Sequence, residues 1–437
     1  MLRKIGLFLG AVACIVVPIA VLTVLPWWLL AIFVVLLGCW MAFTRTGTQT
    51  WSVTQVGIAT IPQRLGSSAV VVVGIAGVVG VLVALLAMGA GFAATLRQTG
   101  ADDTAIVIRA GAQTELNSVL DHNTATLVAQ APQVLKNAQG DPIASPELVV
   151  VASLPKKANG LDANVEIRGI GERAWELRPN VKIIAGRKFG LGLRELIVGK
   201  GAAAQFAGLD LGSSLKLNGE QWTVVGEFDS GDANNSDLWG DTAVVGSAYR
   251  RGSSTTSVTV RLTDAAAFDA FKAGLASDRR LQVDVFTTRN YYNTQAEGLT
   301  RTIRVLGTTV GIIMAIGAVF GALNTMYAAV ATRTREIATL RAIGFRAVPV
   351  IVSVLLETVL LAVLGGVLGA AIAWALFDNY TASTLGSNFS QVVFAFHVTP
   401  ELLWNGLKWA LAIGVIGGLF PAIRAARMPV TAGLREM

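Results

Sequence analysis

Long apolar runs dominate the chain and are interrupted once by an extended polar stretch. The apolar runs are Ile5–Val24, Trp27–Phe43, Ala69–Leu96, Val305–Thr332, Pro349–Phe377 and Leu402–Ile423. A helix needs about 20 apolar residues to cross a bilayer core, so every run qualifies as a span except the second, which is marginal. Ala69–Leu96 and Val305–Thr332 carry no charge at all. The fifth run holds one acid, Glu357, and the sixth one base, Lys408. Between the second and third runs, residues 46–67 mix Trp51, Val53, Val56 and Ile58 with polar positions, which predicts a partly helical segment lying in the membrane interface.

Residues 97–304 switch to a period of two. "TAIVIRA" (104–110), "ELVVVASL" (147–154) and "NVEIRGI" (164–170) read as strands. "SSLKLNGEQWTVVGEF" reads as a hairpin, since Asn218-Gly219 is the favoured two-residue turn between alternating strands. "SVTVRL" (257–262), a Thr263-Asp264 cap, a helix through Phe268 and Phe271, and "LQVDVF" (281–286) predict a β-α-β unit. The expected fold class is an integral membrane α-helical protein of six spans with an inserted extracytoplasmic α+β domain.

Charge sets the expected orientation. Arg3 and Lys4 precede the first run, Arg45 and Arg64 lie between the second and third, Arg333, Arg335, Arg341 and Arg346 between the fourth and fifth, and Arg424, Arg427 and Arg435 after the sixth. Six spans put all four groups on one side, the cytoplasm by the positive-inside rule. Both termini are then inside. The expected order is a hairpin over 1–45, the interfacial segment 46–67, a span over 68–96, the outside domain 97–304, a span over 305–332, a cytoplasmic loop 333–348, a span over 349–377, an outside loop 378–401, a span over 402–423 and a tail 424–437. A cleaved signal peptide is the alternative for the first run, with its basic start and apolar centre, but cleavage would break the agreement of the arginine loops.

Composition narrows the function classes. The 437 residues are 53% hydrophobic and 14% charged, against about 25% charged in soluble domains. The net charge of +7 follows from the positive-inside bias and calls for no nucleic acid. Cys14 and Cys39 both lie in apolar runs and supply neither a disulfide framework nor a metal set. The outside domain has one histidine, His122, and no catalytic constellation is visible in it. The acidic stretch "DSGDANNSD" (229–237), weighed as a calcium site, reads as a solvated loop. No G-x-x-x-x-G-K-[ST] occurs, because "GKG" at 199–201 lacks the spacing. Any ATP-driven work would need a second polypeptide, and no cofactor is expected in this chain.

Two features remain. Gly317 and Gly321 are four residues apart, as are Gly365 and Gly369, a spacing that lets membrane helices approach closely within the chain or toward a second copy. Between the fourth and fifth runs stands "ATRTREIATLRAIGFR" (331–346). Read as a helix over 333–343, it aligns Ile337, Leu340 and Ile343 in a stripe flanked by Arg335, Glu336 and Arg341. Gly344 ends it and Pro349 opens the next span. A lipid anchor needs neither Glu336 nor a cap at each end. A short rigid helix of mixed charge suits docking into a groove on a soluble partner.

The block "TRTREIATLRAIGFRAVPVIVSVLLETVLLAVLGGVLGAAIA" (332–373) resembles the signature of MacB/FtsX-type ABC transporter permeases: a charged R-x-R-E-I-x-x-L-R-A-I-G stretch, then a span with a Glu and a Gly-rich run. "FPAIRAARMPVTAGLRE" (420–436) is similar to the family's close, with Gly433 where Ala is usual, and residues 185–228 resemble its extracytoplasmic domain. The resemblance covers about Trp51 to the C-terminus. It implies a four-helix core in the bacterial inner membrane, a dimer of permeases, and ATP and Mg on a partner ABC ATPase. The charged stretch would be the coupling helix, with Arg335, Glu336, Ile337, Leu340, Arg341 and Gly344 contacting that ATPase. A periplasmic adaptor and membrane lipid are further expected partners. The implied role is efflux by mechanical movement of the outer domains. The hairpin Ile5–Phe43 departs from the family pattern. The alternative is a non-transporting regulator that passes ATPase motion to a periplasmic partner such as a cell-wall hydrolase. A membrane-anchored enzyme is the third reading, with no catalytic constellation to support it.

Overall fold

A computed structural model describes residues 25–429, together with Val17 and Val21. The first apolar run, Ile5–Val24, therefore lies almost wholly outside the described residues. So do positions 430–437, including Gly433 and Arg435 of the C-terminal resemblance. The described chain divides into two units. Unit 1 comprises residues up to Met88, Ile303–Asn379 and His397 onward; unit 2 comprises Gly89–Thr302 and Tyr380–Phe396.

Helices of eight residues or more are α1 (Trp27–Phe43), α2 (Arg45–Ala59), α3 (Leu65–Thr99), α4 (His122–Ala129), α5 (Ala267–Ser277), α6 (Thr288–Thr332), α7 (Thr334–Ala342), α8 (Ala347–Phe377) and α9 (Pro400–Arg427). Among the described residues, four helices are long and apolar enough to cross a membrane: α3 with its preceding turn, α6, α8 and α9. The 17 residues of α1 fall short alone, and α1 meets α2 at a 100° bend. That corner is tight. A Cβ on Gly47 would come within 2.0 Å of the Trp40 carbonyl, and Thr44 caps α2 by accepting from the Gly47 N–H.

The interfacial segment expected over 46–67 resolves into α2, a 3-10 turn at Ile61–Arg64 and the start of α3. Its buried face is made of Gly47, Thr50, Thr54 and Gly57, while Trp51 and Val56 are exposed. The small polar residues pack against the protein, where Thr50 and Thr54 return their hydroxyl protons to backbone carbonyls of their own helix. The exposed face is mixed, with Arg45, Thr48, Ser52 and Gln55 beside Trp51, Val56 and Ile58.

Helix α6 begins at Thr288, well before the apolar run at 305. Its polar first part is helical as well, with Tyr291, Ala296 and Ile303 buried. At 1.5 Å per residue its 45 residues run to about 68 Å, more than twice a bilayer core.

The four glycines part company. A Cβ on Gly365 would lie 2.7 Å from the Val72 carbonyl oxygen, and one on Gly369 only 2.4 Å from that of Ala76, so α8 rests backbone to backbone on α3. Gly317 and Gly321 meet nothing within 4 Å, so within the described chain they pack against no neighbouring helix.

In unit 2 a ten-stranded sheet runs β10-β1-β9-β2-β3-β8-β5-β7-β4, with β6 paired to β7. The strands are β1 (Thr104–Arg109), β2 (Ala144–Pro155), β3 (Asp162–Ile170), β4 (Lys182–Gly186), β5 (Glu195–Gly199), β6 (Ser214–Leu217), β7 (Glu220–Asp229), β8 (Asp237–Asp241), β9 (Ser257–Arg261) and β10 (Val283–Thr287). The predicted hairpin is β6–β7, with Asn218 and Gly219 at φ 45° and 87° as a type I′ turn demands. The β9-α5-β10 unit is split: β1 lies between its two strands, antiparallel to both. Thr263-Asp264 stands a turn ahead of α5, where Asp264 accepts from the Ala267 N–H at 2.8 Å. Strand β2 pairs β9 through its first four residues and β3 through the rest, joining two cores. One is built on Val107, Val258 and Phe271, the other on Ile167, Phe206 and Trp222.

Two expectations are corrected here. The loop over 378–401 carries a hairpin, β11 (Thr381–Leu385) with β12 (Gln391–Ala395), and Tyr380–Phe396 is part of unit 2. Five residues of the acidic stretch 229–237 are buried rather than solvated, among them Asp232 at 5% exposure. Asp232 Oδ1 accepts from the Ser230 hydroxyl and from the Asn234 backbone and side-chain amides, so the loop supplies its own donors.

We expect Gly369→Ala to destabilise the detergent-solubilised chain by about 1–3 kcal/mol, because a methyl at that point forces two backbones apart. Gly317→Ala should leave the melting temperature unchanged or slightly raised, since it adds helix propensity in open space. Thermal unfolding of the two variants side by side measures the contrast.

Candidate functional site

The charged stretch folds as a nine-residue helix, α7. Glu336 stands in its first turn and Arg341 in its last, each the sign that the helix dipole favours. Its C-terminus is closed by a Schellman motif. Gly344 takes φ +107°, its N–H donates to the Arg341 carbonyl at 3.2 Å, and the Phe345 N–H donates to that of Leu340 at 3.1 Å. Helix α8 then opens at Ala347 with Pro349 in its first turn, where a missing N–H costs nothing.

The buried face of α7 differs from the expected stripe. Ile337 and Ala338 are buried, and Ile337 joins a core with Met326, Val330, Val350 and Ala425. Arg341 is half-buried and donates to the Met428 carbonyl at 2.6 Å, which ties the end of α7 to the end of α9. Within the described chain Ile337 packs into its core and Arg341 bonds the end of α9, because a nine-residue helix between two long ones has to bury one face to hold its position. Ile343, placed in the stripe by spacing alone, is the C-cap residue and is 69% exposed. The outward face carries Arg335, Glu336 and Thr339. With Leu340, Phe345 and Val53 of α2 they line an open groove of about 660 Å³.

Glu357 is 2% exposed, on α8. Its two oxygens are taken by two arginines, Arg64 at the foot of α3 and Arg333 at the break between α6 and α7, the latter at 3.1 Å. Arg333 also donates to the Val56 carbonyl at 3.3 Å and to the Thr60 hydroxyl. Sequence reading located Glu357 but not its partners, since Arg64 lies 293 positions away.

Two family models match the chain: the FtsX-like permease C-terminal model over residues 308–430 and the MacB-like periplasmic core domain over residues 68–277. The chain belongs to the MacB/FtsX-type ABC transporter permeases. Among curated relatives, a macrolide export ATP-binding/permease protein MacB 2 of Yersinia pestis is 34% identical over 185 residues, covering 41% of this chain and 26% of the relative. MacB of Burkholderia pseudomallei is 23% identical over 305 residues, covering 65% and 45%. The chain therefore spans between a quarter and just under half the length of these relatives. The solved periplasmic region of MacB from Actinobacillus actinomycetemcomitans aligns at 16% identity and TM-score 0.33, covering 44% of this chain and 92% of that one.

This permease therefore pairs membrane-type helices with an inserted periplasmic-type domain, and unit 2 corresponds to the latter. Its middle holds a charge cluster that no sequence motif announced. Arg168 of β3 spends all five of its N–H donors on four carboxylates: Glu115 and Glu147 at 2.9 Å, Glu115 again at 3.0 Å, Glu166 at 2.6 Å and Asp237 at 3.3 Å. Arg178 grips Glu147 from the other side at 2.6 and 2.8 Å. Two arginines against four acids leave an excess of negative charge in a buried site. Burial opposes the ionised form of Glu147, but Arg178 and Arg168 outweigh it and hold the carboxyl below its ordinary range. Burial pushes Glu166 up, with the Glu115 charge adding to it against the pull of Arg168. Burial and then Glu166 push Asp237 up further. Glu166 also accepts from Asn388 at 3.0 Å and Ser390 at 3.3 Å, which pins the β11–β12 hairpin to β3.

Raised carboxyls stabilise the fold while protonated, so their contribution is present below the ordinary carboxylate range and is lost as pH rises through the raised values. Melting of the full chain in detergent should therefore fall as pH rises above the ordinary carboxylate range. Asp237→Asn should flatten that fall and gain on wild type as pH rises. A variant that tracks wild type at both ends would show that Asp237 is not the strained member.

Proposed function

We propose that this chain is the permease subunit of a bacterial ABC transporter in the inner membrane, coupling ATP hydrolysis on a partner ATPase to movement of its periplasmic domain for export. The observation that carries this reading is α7: a capped helix fixed on one face to α6, α8 and α9, with Arg335 and Glu336 exposed on the other. In this reading α7 is the coupling helix and lies on the cytoplasmic side with both chain termini. Closure of the ATPase pair would displace α7. Ile337 and Arg341 would hand the displacement to the bundle, while Arg335, Glu336 and Leu340 meet the ATPase. ATP and Mg bind the partner, and the relatives bearing ATP-binding/permease names support an ATPase in the same assembly.

A second permease copy fits the side of α6 that carries Gly317, Gly321 and the exposed Asn324, where no helix among the described residues covers the glycines. A polar amide in lipid gains from a hydrogen bond across a helix pair. The exposed apolar side chains of α1, Phe33 to Leu36 among them, face lipid. A periplasmic adaptor completes the export route.

The test is co-purification in mild detergent of wild type against Arg335→Glu with Glu336→Lys. Wild type should bring down a cassette ATPase with ATP turnover, and the double variant should lose at least tenfold of both, about 1.4 kcal/mol of docking energy. Recovery of no ATPase with wild type would overturn the reading.

A further inference from the structure

We propose that Glu357 is a positioning residue that locks the hinge between α6 and α7, so that a displacement of α7 is delivered to α3 and α8 together; this rests on the coupling role proposed for α7. Arg333 sits at the break itself. Its φ and ψ of −108° and 12° leave helical geometry, and no side chain caps α7 there. A backbone break of that kind bends freely unless something outside the backbone fixes its angle. Here the Arg333 side chain does so: one nitrogen holds Glu357 on α8, and the other holds the Val56 carbonyl of α2 and the Thr60 hydroxyl beyond it. The second oxygen of Glu357 holds Arg64, which leads into α3. One carboxylate thereby ties the hinge to two spans. Gly57 keeps the site closed, since a Cβ there would stand 3.1 Å from Glu357 Oε2. The far end of α7 is held separately by Arg341 on Met428.

The charges make the two obvious variants unequal. Glu357→Gln leaves Arg64 and Arg333, 18% and 17% exposed, facing each other with no buried counterion. Arg333→Gln leaves the neutral pair of Arg64 and Glu357 and removes the link to the hinge together with the solvent-facing Arg333–Glu336 pair at 3.7 Å, so it should fold normally. Both are expected to uncouple the helix from the spans while leaving the exposed Arg335 and Glu336 in place on α7.

The experiment uses the full chain with the ATPase that co-purifies with wild type, reconstituted in nanodiscs. Hydrogen–deuterium exchange over unit 2 is compared with and without MgATP and vanadate. Wild type should show a nucleotide-dependent change. Arg333→Gln should recover the ATPase within twofold of wild type and lose at least fourfold of that change, with Arg333→Lys restoring part of it. Melting of each variant separates lost coupling from lost folding. A normal nucleotide response in Arg333→Gln overturns the proposal, as does loss of ATPase recovery in that variant, which would make the arginine part of the docking surface. Failure of wild type to recover any ATPase instead overturns the coupling role itself, and this inference falls with it.

Discussion

A carboxylate in the interior of an apolar helix bundle has to be matched, and the matching of Glu357 organises the membrane unit. Its removal from water is tolerable only because two guanidinium groups surround it. Those groups, Arg64 and Arg333, come from chain segments far apart in sequence, so the pairing dictates where the foot of α3, the end of α2 and the α6–α7 break converge on α8. The glycines serve the same convergence. Gly57 lets α2 approach the carboxylate closely, and Gly365 and Gly369 let α8 rest directly on α3 further along. The acid thus fixes one end of the helix contact and the small residues fix its length.

The periplasmic-type domain solves a similar problem with the signs reversed. Its hub is a cation, Arg168, and the surplus is negative. A fully bonded guanidinium at the junction of β3, β2 and β8 holds two hydrophobic cores in register, but four acids around it are more than two arginines neutralise. Buried ionic networks of this kind add little net stability and act mainly on which arrangement is allowed.

Local chemistry was legible in the sequence wherever neighbours along the chain decide the outcome. The Asn218-Gly219 turn, the Gly344 cap and the apolar runs follow from nearest-neighbour sterics and hydropathy. What could not be read depended on distant partners. The face of α7 is one case: spacing put Ile343 beside Ile337, but packing against Val350 and Ala425 chose Ile337 and Ala338 instead. The polar first part of α6 is another, since its buried residues find partners only in the folded domain. The acidic 229–237 stretch misled because composition suggests solvent, whereas Asn234, Asn235 and Ser230 supply enough donors to bury it. The charged helix α7 was legible as a segment; which of its residues point outward was not.

The β11–β12 hairpin has a consequence for biogenesis. Unit 2 is assembled from two pieces of chain, and the second, Tyr380–Phe396, is made only after α8. Until then Glu166 lacks Asn388 and Ser390, Ser236 lacks the Val393 amide that it binds at 2.8 Å, and Phe92 lacks its Phe394 neighbour. The domain cannot finish folding as it leaves the ribosome. It waits, with one side of its sheet unfinished, until α8 has been synthesised and the hairpin arrives. Completion of unit 2 therefore reports that α8 has been made.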